Sequence, residues 1–104
     1  MNITMIKKLE QMQKEMKQVQ DQIDASTFYG KAGGGAVEVE FTGAKKMQKI
    51  SIDESAFEFP QDLDLLKESI VAAVNDCIQK IDEENEATIQ QFSNQMGAFS
   101  GMFK

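Results

Sequence analysis

Gly33-Gly34-Gly35-Ala36-Val37-Glu38-Val39-Glu40-Phe41-Thr42-Gly43-Ala44, running on to Ile50-Ser51-Ile52-Asp53, is the stretch on which the fold turns. Val37, Val39 and Phe41 alternate with Glu38, Glu40 and Thr42. An extended chain with that alternation has one apolar and one wet face, as an antiparallel strand packed on a single side requires. The glycines on either side supply turns. With Gly43-Ala44 as a two-residue turn, Glu38 stands opposite Lys49 and Val37 opposite Ile50, pairing charge with charge and apolar with apolar; a longer loop shifts that register. Thr27 to Lys31 gives a weaker first strand, with Ala32-Gly33-Gly34 as its turn.

Working outward, the preceding segment carries Leu9, Met12, Met16, Val19 and Ile23 at spacings of three and four, with Lys, Gln, Glu and Asp between them. This is an apolar stripe on a helix, placed at about residues 3–25 and roughly 35 Å long at 1.5 Å per residue. After Asp53 the single proline, Pro60, precedes Gln61-Asp62-Leu63-Asp64, where acidic residues suit a first helical turn. A second helix over 61–96 presents Leu63, Leu66, Ile70, Ala73, Val74, Cys77 and Ile81, then Ile89, Phe92 and Met96 beyond the polar run Asp82-Glu83-Glu84-Asn85-Glu86. That run separates a buried segment from an outer one. Residues 97–104 contain two glycines and no periodicity and are assigned no structure. The resulting division is a helical arm (1–26), an antiparallel sheet (27–53), a long helix (61–96) and a disordered tail (97–104), all within one domain.

A chain of 104 residues is one domain by size, and a monomer of this length buries only roughly two-thirds of its unfolded surface. The apolar residues are spread thinly over two arms and a small sheet, so a homodimer sharing one core is expected. Histidine, tryptophan and arginine are absent and the lone cysteine is Cys77. The commonest general base and metal ligand are therefore missing, and neither an internal disulfide nor a multi-thiolate site can form. The expectation is a cytoplasmic protein with no catalytic role, no cofactor and no metal. No apolar run approaches the ~20 residues that span a bilayer, and no signal-peptide pattern opens the chain.

The remaining candidates for chemistry reduce to structure. Gly30-Lys31 is followed by Ala32 and no glycine stands five residues before Gly30, so the run fails as a phosphate loop. It also fails as a dinucleotide fingerprint, since Glu38 occupies the third glycine position and a strand follows. Cys77 lies on an apolar stripe, where burial leaves a thiol inert. The acids Asp82, Glu83, Glu84 and Glu86 read as a solvated face, without the calcium-loop pattern.

Charge is what remains. The net charge is −6, with residues 1–50 at +2 and residues 51–104 at −8, so a polyanion can be held only by the first helix and the hairpin. Lys7, Lys14 and Lys17 fall within an arc of about 80° opposite the apolar stripe of the first helix. Glu10 shares that arc and can pair with Lys7 or Lys14. Lys45, Lys46 and Lys49 form a second cluster, which either faces phosphate or offsets Glu38 and Glu40. Lysine meets phosphate as a point charge, so without arginine any DNA binding should be salt-sensitive and nearly sequence-independent.

Taken together, Met12-Gln13-Lys14-Glu15-Met16, the block from Gly33 to Gly43 leading to Ile50-Ser51-Ile52-Asp53, and Leu65-Leu66-Lys67-Glu68-Ser69-Ile70-Val71-Ala72-Ala73-Val74-Asn75-Asp76 resemble the YbaB/EbfC family of bacterial nucleoid-associated proteins over nearly the whole chain. The resemblance implies an α+β fold, α-β-β-β-α, with a small antiparallel sheet between two long helices and a tweezer-like homodimer. It implies binding to double-stranded DNA, a change in DNA conformation, and an influence on nucleoid organisation and gene expression. The DNA-binding residues expected of this chain are Lys7, Lys8, Lys14, Lys17, Lys45, Lys46 and Lys49. A rival reading is a clamp for helices or unfolded segments. Its support is seven methionines and the terminal run of Phe92, Met96, Phe99, Met102 and Phe103.

Overall fold

The computed structural model describes residues 2–101, excepting the side chains of residues 99 and 100. The order is α1 (Ile3–Ala25), β1 (Thr27–Ala32), β2 (Val37–Thr42), β3 (Met47–Ile52), a 3-10 turn (Glu54–Ala56) and α2 (Leu63–Gly101). The α-β-β-β-α order expected from the sequence is the one observed. The sheet is antiparallel throughout, in the order β1-β2-β3, and the particle is 70 Å long and only 22 by 14 Å across.

The Asn2 side chain caps α1 by accepting the Thr4 N–H at 3.0 Å. Ser26 closes its other end by donating its hydroxyl to the Gln22 carbonyl and its N–H to that of Ile23. β1 turns into β2 through Gly33, Gly34 and Gly35, all three at positive φ, a conformation that L side chains resist. On β2 the alternation holds as read: Val37, Val39 and Phe41 are buried, and Glu38 and Glu40 are half-buried. The core joins these residues to Phe57, Ala73, Cys77 and Ile81.

The β2–β3 register differs from the two-residue-turn reading. Val37 pairs with Ile52, Val39 with Ile50 and Glu40 with Lys49. Two insertions cause the shift. The loop holds three residues, Gly43-Ala44-Lys45, with the Lys45 N–H on the Thr42 carbonyl, the Thr42 N–H on the Lys46 carbonyl, and Lys45 at φ +64°. A bulge beside Glu40 and Phe41 then adds another residue. A shift of two preserves the inward and outward faces, so Ile50 stays on the apolar side.

α2 begins at Leu63, two residues later than the sequence suggested. Pro60 to Asp62 form a turn in which the Asp62 carboxylate accepts the Glu58 N–H at 2.8 Å and its carbonyl accepts the Leu66 N–H. The helix runs unbroken through Asp82–Glu86 and past Gly97 to Gly101, where the sequence reading assigned no structure. The Phe99 side chain, Met102 and Phe103 lie outside the described residues. α2 covers β1 and β2 with Ser69, Ala73, Cys77 and Ile81, one residue per turn. Beyond Ile81 it runs antiparallel to α1, where Ile23 and Phe92 are buried and Gln20 donates to Asn85 at 3.4 Å.

Among the described residues one flank of this assembly is uncovered. Leu66, Ile70, Val74 and Ile78 are half-buried beside the core column of α2. Ile50, on the core-facing side of β3, is 41% exposed. On the arm, Met16 of α1 and Ile89 and Met96 of α2 are exposed, each displaced by about 40–60° from the seam between the helices at 100° per residue. In antiparallel helices equal displacements fall on the same side, so these residues share one side of the arm.

Candidate nucleic-acid interface

The long, half-solvated α1 carries four of the candidate lysines. Met12, Val19 and Ile23 turn toward α2, which sends Lys7 and Lys14 to the opposite side of the helix, while Lys8 sits closer to the seam. Among the described residues no carboxylate lies within 4.0 Å of Lys7, Lys8 or Lys14, Glu10 included. Lys17 differs, since its ammonium donates to Asp21, one turn on, at 3.0 Å. Such an exposed pair holds weakly and leaves the lysine available.

The hairpin lysines lie at the root of the arm. Gly43 is packed so closely on the Ile23 carbonyl that a Cβ there would collide with it, and its N–H donates to the Ser26 carbonyl. This fixes the β2–β3 loop against the end of α1. Lys45 reaches from that loop to α2, where its ammonium meets Asp82 at 2.8 Å. Lys46 and Lys49 have no carboxylate within 4.0 Å among the described residues. Of the two acids these lysines could offset, Glu38 pairs with Lys31 at 3.4 Å, and Glu40 stays beside the cluster. Lys49 stands opposite Glu40 in register without reaching it. The candidate lysines thus form two groups, one along the arm and one at its root.

Residues 1–96 match the model of a known family, the YbaB/EbfC DNA-binding family. The chain belongs to that family.

Among curated relatives of this YbaB/EbfC member, a "Nucleoid-associated protein" of Ligilactobacillus salivarius is 42% identical over 90 residues, covering 86% of each chain. Another of that name from Acetivibrio thermocellus is 35% identical over 99 residues, covering 95% of this chain and 87% of its own. One from Rickettsia felis is 39% identical over 97 residues, covering 93% and 84%. The crystal structure of an uncharacterized protein of Helicobacter pylori superposes with a TM-score of 0.70 at 24% identity, covering 88% of this chain and 96% of that one, and shows the same fold.

Other features of this YbaB/EbfC chain are structural. Burial pushes the Cys77 thiol above its ordinary value, so little thiolate forms at neutral pH. Asn75, Ile78, Gln79, Asp82, Glu83 and Glu86 line an open groove of about 410 Å³ along α2. Its acids repel a phosphate backbone. Among the described residues no cluster of three His, Cys, Asp or Glu could hold a metal ion, and no helix is long and apolar enough to cross a membrane. The sequence did not disclose the Lys45–Asp82 pair, because Asp82 has the local pattern of a solvated acid and its partner is brought to it by the loop.

Proposed function

We propose that this protein binds double-stranded DNA in the nucleoid as a homodimer, with little sequence preference, and bends or clasps the duplex between its arms. The observation that carries the reading is the placement of Lys7, Lys8 and Lys14 along one exposed helix, and of Lys46 and Lys49 at its root, with no carboxylate within 4.0 Å among the described residues. Phosphate contacts of this kind position a duplex without reading its sequence. The acids of the C-terminal half keep the DNA off α2, so the α1 side of the arm is the face that engages.

The dimer rests on the uncovered flank. Ile50, Ile70, Val74 and Ile78 extend the core to an open edge, and a second copy applied there completes it. The exposed Met16, Ile89 and Met96 also suit a grip on a foreign helix, which is the clamp reading. A titration of a mixed-sequence duplex over a salt series separates the two. DNA binding predicts a log–log decline in affinity of about 0.9 for each phosphate neutralised. Absence of binding at low salt overturns the DNA reading. A nuclease-resistant protein partner at fixed stoichiometry favours the clamp.

A further inference from the structure

We infer that Asp82 is a built-in competitor for DNA phosphate at Lys45, and so sets how tightly the root of the arm holds the duplex. This inference rests on the DNA-binding reading above. The two side chains meet at 2.8 Å, and each is about half exposed, at 48% and 49%. The pair is therefore open to an incoming anion. Lys45 is not paired by chance proximity along a helix, as Lys17 is with Asp21. Its backbone is held at φ +64° by the three-residue loop, with its N–H on the Thr42 carbonyl, and this aims its side chain at α2.

Lys46 directly follows that loop and has no carboxylate within 4.0 Å among the described residues. A phosphate drawn to Lys46 arrives beside Lys45 and must compete with Asp82 for it. Asp82 is about 40° further around α2 than Ile78 and within about 20° of Ile89, so it borders the uncovered flank, and the openness of the pair rests on its half-exposed side chains. An exposed ion pair is weak enough to be displaced. Displacement leaves Asp82 without its cation beside a polyanion, so Lys45 contributes less to binding than an unpaired lysine does.

The test compares Asp82→Asn with Glu86→Gln, which removes one charge a turn away without touching Lys45. Each is measured alone and with Lys45→Gln, by titrating a mixed-sequence duplex over a salt series on protein whose dimer content has been checked by sedimentation. Asp82→Asn should tighten binding at low salt about three- to tenfold more than Glu86→Gln, and steepen the salt slope by about 0.9 for each copy engaged. With Lys45→Gln in place, Asp82→Asn should gain no more than Glu86→Gln does. Equal gains from the two acid variants, or a gain that survives Lys45→Gln, would mean that Asp82 acts only through net charge or as a strut, and would overturn the inference. If no variant binds DNA even at low salt, the DNA-binding reading falls and this inference with it.

Discussion

Asp76 on α2 accepts the backbone N–H of Lys31 on β1 at 3.0 Å, and so closes the outer edge of the sheet. Lys80, one turn further on, completes the closure by donating to the Tyr29 carbonyl at 3.0 Å while pairing with Asp76 at 3.3 Å. An edge strand with open N–H and C=O groups invites further pairing, and α2 removes that opportunity at β1. Among the described residues β3, at the opposite edge, has no such cover.

The same contact predicts a pH dependence. The Lys31 N–H, followed by Lys80, holds the Asp76 carboxyl below the ordinary value of 3.8. A carboxyl depressed in the folded state contributes stability that is full above its unfolded value and is lost as pH falls through the folded one. Asp76→Ala should therefore lower the thermal midpoint at neutral pH, with the gap from the native protein narrowing below about pH 4. Melting curves across the acid range check this; a gap that stays constant would show that the charge is irrelevant.

Gly30 predicts a packing defect. A Cβ built there meets the Ala73 carbonyl and lies 2.7 Å from both the Cys77 Cβ and its backbone nitrogen, so β1 and α2 touch only because the side chain is absent. Gly30→Ala has to push the helix off the strand, and its cost should be about 1–3 kcal/mol, or more if the shift spreads. Urea unfolding measures it directly. Gly34→Ala is the contrast, since among the described residues nothing lies within 4 Å of its Cβ and its positive φ is what opposes the change.

These glycines show how far the sequence could be read. The β2 alternation was legible because burial on one face writes a period of two into the residues. Gly43 lies in the β2–β3 turn as its sequence indicates, but the third loop residue and the close approach of Gly43 to the Ile23 carbonyl are tertiary facts with no local pattern. The lysines of α1 could be placed from their angles alone. The partner of Lys45 could not, because Asp82 becomes its neighbour only once the loop and α2 are folded together. Gly97 stopped the helix in the reading but not in the structure, since a single glycine costs only about 1 kcal/mol.

The lysines predict a graded salt response. Neutralising Lys7 and Lys14 together should lower the salt slope of DNA binding by about 1.8 for each engaged copy, if each meets one phosphate. Lys67→Gln, on the acidic α2 and beside Asp64, should leave it unchanged. A loss of about half that size from the single Lys67→Gln change would mean that net charge, not the arm, governs binding. Lys46→Gln and Lys49→Gln extend the comparison to the root.

The uncovered flank makes the last prediction. Ile50 is 41% exposed on β3 and Ile89 is 65% exposed on the arm, so a lysine at either should change the stability of an isolated chain little, within about 0.5 kcal/mol. In a dimer formed over this flank the same lysines are buried without partners. Ile50→Lys and Ile89→Lys should each then raise the dimer dissociation constant at least tenfold, about 1.4 kcal/mol. Leu65→Lys is the control, being equally apolar and 50% exposed but displaced around α2 in the opposite sense from Ile78. Sedimentation over a concentration series reads all three. If Leu65→Lys dissociates the dimer and Ile50→Lys does not, the subunits meet on the other side of α2. If Ile50→Lys alone acts, the dimer is held at the sheet and the apolar side of the arm is left open to another partner.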